Sequence, residues 1–258
     1  RWSQPVNHTL SALALLSALL LVPVSSFAEV KILPLWPGIP PGSGGITEKE
    51  KVVERGNGKT IIDRSIHDVH RPTLTVHLPE KRSTRPLSAL VICPGGGLTR
   101  VVIDKEGNDL ARLLAPHGVI GVVLKFRTAK TTTHFYGMEA MEADVKRAIR
   151  TVRAKAGEWN IDPKRVGVWG FSAGGHLAST VSTVFDSGKA DARDTVERHS
   201  SRPDFSVLFY PVITMKDGAV HKGSRRNLVG AAPKPTLLER YSNESRVTGQ
   251  TPPTFLLH

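Results

Sequence analysis

Apolar residues fall along this chain in short blocks separated by polar stretches rich in glycine and proline. Residues 72–78 alternate polar and apolar, the period of a half-buried strand. Residues 87–92, 119–124 and 166–169 are nearly continuous apolar runs of strand length, as expected of strands buried on both faces. A helix is predicted between Asp104 and Pro116, with Leu110, Leu113 and Leu114 at helical spacing. Residues 138–159 predict one long amphipathic helix: Val145, Ile149, Val152 and Ala156 form its apolar stripe, while Lys146, Arg150 and Arg153 lie on the more exposed side. Residues 205–210 predict a further strand closed by Pro211, and residues 252–257 begin a last one. Residues 35–42 read as an irregular lead-in. Residues 215–248, polar and basic with a helical piece near 237–240, read as an insert over the active edge of the sheet.

Strand and helix alternate through most of the chain, which predicts an α/β fold with a mostly parallel central sheet and helices on both faces. Such sheets bind ligands at the C-terminal ends of their strands. The N-terminus changes the domain picture. Residues 10–22 are almost wholly apolar and are followed by Pro23 and by Ser26-Phe27-Ala28, which puts the small residues Ser26 and Ala28 where a signal peptidase reads. Residues 1–28 are therefore expected to be a signal peptide and residues 29–258 a single domain, secreted or periplasmic. The apolar run is too short to span a bilayer comfortably, so no membrane is expected for the mature form.

Composition narrows the partners. The formal charge is +12, but basic runs such as Lys81-Arg82 and Arg225-Arg226 are short and lack interleaved aromatics. That argues against a nucleic-acid partner and leaves attraction to acidic polymers open. The single cysteine, Cys93, rules out an intrachain disulfide and reads as a small buried hydrophobe at a strand end.

The candidate chemistry begins at Ser172. Gly170, Phe171, Ser172, Ala173 and Gly174 follow an apolar strand and open a small-residue helix, the strand–turn–helix context of a nucleophile elbow. Gly170 and Gly174 keep the turn free of side chains that would meet the neighbouring strand or helix. Gly95, Gly96 and Gly97 follow the strand at 87–92. Glycines there let main-chain N–H groups approach a reacting carbonyl, and a donor so placed is worth roughly 3–4 kcal/mol to an acyl-transfer transition state.

Together with Pro94 and the stretch 160–166, these motifs resemble the α/β-hydrolase-fold serine esterases. The resemblance is closest to secreted bacterial acetyl-xylan and other carbohydrate esterases, the feruloyl-esterase-like group. It runs from about Val30 to the last residue, with the elbow its most specific part. It implies Ser172 as nucleophile, with Gly96, Gly97 and Ala173 supplying oxyanion N–H groups, supported by Gly95, Gly170 and Gly174. Pro94 stands where many members have histidine. The resemblance further implies removal of small acyl groups from an acylated carbohydrate, with no metal and no cofactor. A triad runs Ser, acid, His along such chains. The acid and base are accordingly expected beyond His258, and the last strands of the fold with them.

Substitutes within the chain are poor. His176 follows the elbow too closely and should be structural; His134 and His221 lie in loops. Asp204 precedes a strand, and Asp217 has no suitable histidine after it. Asp104, Glu106 and Asp109 favour a helix dipole and need no metal. Asp144 and Arg147 read as an ion pair on a solvated helix face, and Arg127 and Tyr136 as residues bordering the cleft. Two rival functions remain: a non-catalytic polysaccharide-binding or inactive remnant of the fold, and a peptidase of the same fold. The acyl group, the sugar and the oligomeric state are not encoded in any motif.

Overall fold

The computed structural model describes residues 29–80 and 83–258. The expected signal peptide and the Lys81-Arg82 run lie outside the described residues. The main sheet has seven strands: β1 (Val30–Pro34), β4 (Thr73–His77), β5 (Leu87–Cys93), β7 (Val119–Lys125), β8 (Ile161–Phe171), β9 (Ser206–Phe209) and β10 (Thr254–Leu257). Their order is β1-β4-β7-β5-β8-β9-β10. From β7 to β10 every neighbouring pair is parallel, and only β4 runs against the rest. The strand predictions hold in place and type. β1 was not read from its sequence, nor was a small antiparallel sheet of β2 (Lys51–Glu54), β3 (Arg64–His67) and β6 (Arg100–Val102). These three strands are short, and β2 is exposed throughout, so they carry no apolar pattern.

Six α-helices are described: α1 (Asp109–Leu114), α2 (Gly137–Ala154), α3 (Ala156–Trp159), α4 (Ser172–Thr183), α5 (Lys222–Val229) and α6 (Pro235–Arg240). They cover both faces of the sheet. A Cβ on Gly121 of β7 would meet Ala111 of α1 at 2.5 Å, while one on Gly170 of β8 would meet Ala178 of α4 at 2.6 Å. Gly121 and Gly167 are both in register with Leu90 and share its face, whereas Gly170 lies on the opposite one.

Several side chains sit differently from their predicted places. The helix near 110 buries Ala111 rather than Leu113, which is exposed; it is preceded by a π turn, Asp104–Asn108. The long helix breaks at Lys155 into α2 and α3. Its arginines are not solvated. Arg150 bonds Asp186 and pairs with Glu197, and Arg153 bonds Asp204 at 2.9 Å. Lys146, also largely covered, pairs with Glu142 at 2.7 Å. The expected Asp144–Arg147 pair does not form. Arg147 bonds Asp194 and Glu197, while Asp144 is fully buried against Arg127. The carboxylates that cover α2 at Asp186, Asp194, Glu197 and Asp204 lie far downstream, so helical periodicity gave no sign of them.

The strand order turns at β5, which has β7 on one side and β8 on the other. In open α/β sheets a crevice forms at such a switch point, beyond the C-terminal strand ends. The turn after β5 and the start of α4 both face it.

Candidate active site

Ser172 is the first residue of α4 and sits immediately past the end of β8. Its φ is 50°, a left-handed conformation that residues with a Cβ rarely adopt. The strand must reverse into the helix within one residue, and that reversal lifts the serine out of the sheet. The reversal is possible because its neighbours lack side chains. A Cβ on Gly174 would stand 2.1 Å from the Cys93 carbonyl oxygen and 2.4 Å from that of Pro94. One on Gly170 would stand 2.4 Å from the Gly174 oxygen. The first turn of α4 is thus packed against the end of β5. Ser172 itself stays half-buried, and its carbonyl accepts the Val212 N–H at 2.9 Å. Among the described residues nothing hydrogen-bonds its hydroxyl.

The glycine turn after β5 is held by its carbonyls. Gly95 O accepts the Val102 N–H at 3.0 Å, Gly96 O the Thr99 N–H at 3.3 Å, and Gly97 O the Asn227 side-chain amide at 2.8 Å. Of its N–H groups only that of Gly95 is taken, by Glu106 Oε2 at 2.7 Å. The N–H groups of Gly96 and Gly97 donate to no acceptor among the described residues, and Ala173, in the first turn of α4, has no intrahelical acceptor for its own. Gly96 has φ 137° and no room for a Cβ, which would lie 2.1 Å from the Arg100 carbonyl oxygen. The turn borders the serine directly: a Cβ on Gly95 would touch Ser172 Cβ at 3.1 Å. Free N–H groups beside a hydroxyl that no described residue bonds are what stabilisation of a developing oxyanion requires.

None of the alternative bases or acids hydrogen-bonds the Ser172 hydroxyl. His176 is fully buried behind the elbow, donating Nδ1–H to the Val212 carbonyl at 3.1 Å; burial lowers its pKa to about 4. His221 caps α5 by accepting the Ser224 N–H, and the His134 ring packs edge-on against Tyr136. Asp204 accepts the Val166 N–H at the far end of β8, and Asp217 pairs with Arg225. Cys93 is fully buried, and burial pushes its thiol up to about 12, so it is no nucleophile.

Other sequence assignments change character. Arg127 is wholly buried and, with Tyr136, lines a cavity that Ser172 does not line. It grips Asp144 through Nη2 at 2.7 Å and the Pro41 carbonyl through Nη1. Tyr136 is half-buried, its hydroxyl 2.7 Å from His70 Nδ1. Asp104 takes the Arg64 fork; burial would raise its carboxyl, but the Arg64 bonds outweigh this and bring it to about 2. Asp109 pairs with Arg112. From sequence Glu106 was assigned only a helix-dipole role, and Tyr210 and Asn227 were not singled out. Asn227 lies in the polar insert and Glu106 in the π turn, and neither stretch has a periodicity that marks its inward side.

A parallel sheet switching direction at β5, with a strained serine after β8 and a free N–H turn after β5, defines an α/β-hydrolase-fold protein. The chain belongs to the BD-FAE family, whose model matches residues 74–258. It is 34% identical over 197 residues to an acetylxylan esterase of Xylanibacter ruminicola, covering 75% of this chain and 37% of that protein. It is 35% identical over 167 residues to endo-1,4-beta-xylanase B of Butyrivibrio fibrisolvens, covering 65% and 26%. The chain thus spans little more than a third of the first relative and about a quarter of the second. An acetyl ester-xyloside bifunctional hydrolase from Caldicellulosiruptor lactoaceticus superposes with TM-score 0.69 at 34% identity, over 90% of this chain and 75% of that one. An esterase from Thermogutta terrifontis, at TM-score 0.56 and 24% identity over 84% and 72%, shares the fold.

Proposed function

We propose that the chain carries the nucleophile of a secreted or periplasmic serine esterase that removes acetyl or other small acyl groups from carbohydrate. The observation that carries this reading is Ser172 at φ 50° beside a turn whose carbonyls are all bonded and whose Gly96 and Gly97 N–H groups are free among the described residues. The acetylxylan esterase and acetyl ester-xyloside hydrolase among its relatives supply the substrate class. Ser172 Oγ attacks the ester carbonyl carbon. The Gly96, Gly97 and Ala173 N–H groups hold the oxyanion. The C–O bond to the sugar breaks, and the sugar oxygen leaves with a proton. Water then attacks the acyl-serine and releases the acid, restoring the hydroxyl. The general base and its acid are assigned to residues after His258, in the order usual for the fold.

The test is acetate release from acetylated xylan by protein expressed from the whole reading frame, with fluorophosphonate labelling. Ser172→Ala should abolish labelling and lower kcat by roughly 10⁶-fold, as loss of a triad serine does. Glycan binding without labelling or turnover would favour the non-catalytic reading. Turnover of a peptide amide in preference to the ester would favour the peptidase.

A further inference from the structure

Glu106 lies in the π turn Asp104–Asn108, an irregular helical form that recurs at functional sites. Its carboxylate reaches the space beside the nucleophile. A Cβ on Gly95 would lie 2.7 Å from Glu106 Oε2 and 3.1 Å from Ser172 Cβ, so carboxylate and serine flank the same empty spot. Oε2 accepts the Gly95 N–H at 2.7 Å, and Oε1 accepts the Tyr210 hydroxyl at 3.3 Å. Tyr210 follows β9 with φ 36°, a conformation costly for a bulky residue, and its N–H is anchored on the Leu257 carbonyl at 2.6 Å. Its ring stands 5.9 Å from that of Phe171, the residue before the nucleophile. Burial, then the neighbouring Glu106, pushes its hydroxyl up to about 12, so it stays a donor. One side chain therefore ties the turn after β5 to the end of β9, across the end of β8 from which Ser172 rises.

We propose that Glu106 is a positioning residue for acyl transfer: by taking the Gly95 N–H it fixes the turn so that the Gly96 and Gly97 N–H groups, and not that of Gly95, face the reacting oxygen. This rests on the esterase reading. A charge-assisted bond to a backbone N–H is stronger than a neutral one, which suits a brace that must not yield as charge builds next to it. The carboxylate's own charge would oppose an oxyanion. Its bonds from the Gly95 N–H on one oxygen and the Tyr210 hydroxyl on the other offset part of that charge.

The acceptor's length and its charge can be separated in the protein expressed from the whole reading frame, assayed on p-nitrophenyl acetate. Glu106→Gln keeps the length and an acceptor oxygen, and kcat should stay within about 3-fold of the parent, since a neutral acceptor still makes the bond. Glu106→Asp keeps the charge but withdraws the oxygen by one methylene. It should lose about 10- to 100-fold in kcat with KM within about 2-fold, the mark of misplaced transition-state donors. Exchange of the Gly95 amide proton, followed by NMR, should be slow in the parent and in Glu106→Gln and at least about 10-fold faster in Glu106→Asp. Tyr210→Phe, which frees the carboxylate on its far side, should speed that exchange by a smaller factor. Glu106→Asp with parental kcat or parental exchange overturns the proposal, as does Glu106→Gln damaged as severely as Glu106→Asp. A parent with no esterase activity would sink the esterase reading instead, and Gly95 exchange would still report on the brace.

Discussion

Four residues after Ser172, His176 shows how closely the elbow is packed. Its ring is fully buried, Nδ1 donates to the Val212 carbonyl, and Nε2 has no partner among the described residues. Burial is the main cause of its lowered pKa, about 4. In the unfolded chain a histidine titrates near 6.5. Between these values the unfolded state binds the extra proton, so stability falls as pH drops from about 6.5 toward 4 and loses no more from this group below that. The span corresponds to about 3 kcal/mol. Urea denaturation at pH 7 and pH 4.5 should show a loss of midpoint that His176→Gln largely removes; equal loss in both proteins would place the acid sensitivity elsewhere. The sequence disclosed this residue's role because its distance from Ser172 is fixed by the helix. It disclosed the glycines at 170 and 174 for the same reason, since an elbow leaves no room for a Cβ at either. Glu106 was different. Its partners Gly95 and Tyr210 come together only in the folded sheet, so the local pattern offered nothing better than a helix-dipole role.

At the scale of elements, α2 is where sequence and structure part. A polar stripe on a helix reads as solvent-facing until its partners are known, and here the partners sit 36 to 51 residues later in the chain. Arg127, just after β7, is the deepest case. Its guanidinium is wholly buried, with Asp144 of α2, the Ala140 carbonyl and the Pro41 carbonyl as acceptors. Trp36 also donates to Asp144, at 2.8 Å. One carboxylate thus pins the strand end, the helix and the lead-in together. Asp144→Ala would leave the guanidinium buried without its counter-charge. Such losses cost about 3–5 kcal/mol, more than replacing both partners by apolar groups would. Denaturant midpoints for Asp144→Ala and for Arg127→Met with Asp144→Leu should rank in that order, the single change being the worse. A single change costing under about 1 kcal/mol would mean the pair is hydrated rather than sealed.

For the whole molecule the sheet is asymmetric. One side ends in β1, beside the antiparallel β4 and carrying Lys31, while the other ends in β10, where Thr254, Phe255, Leu256 and Leu257 are all exposed and none is charged. The apolar run at 252–257 was legible as a strand because buried parallel strands carry such runs, yet in the described chain it is an edge. An apolar edge strand offers unpaired N–H and C=O groups to any other chain, and natural edges are usually blunted by charge. The net charge of +12 opposes that pairing at long range, and this repulsion is screened by salt over about 10 Å at 0.1 M. A fragment of residues 29–258, cut at His258, should therefore associate in a concentration-dependent way, more strongly in high salt than in low. Sedimentation equilibrium at two ionic strengths reads this directly. Leu256→Lys should restore the monomer by placing a charge on the edge, whereas a lysine at the already exposed Leu113 on α1 should not. Association that weakens with salt would trace it to charged surfaces, and indifference to Leu256→Lys would place the contact elsewhere than on β10.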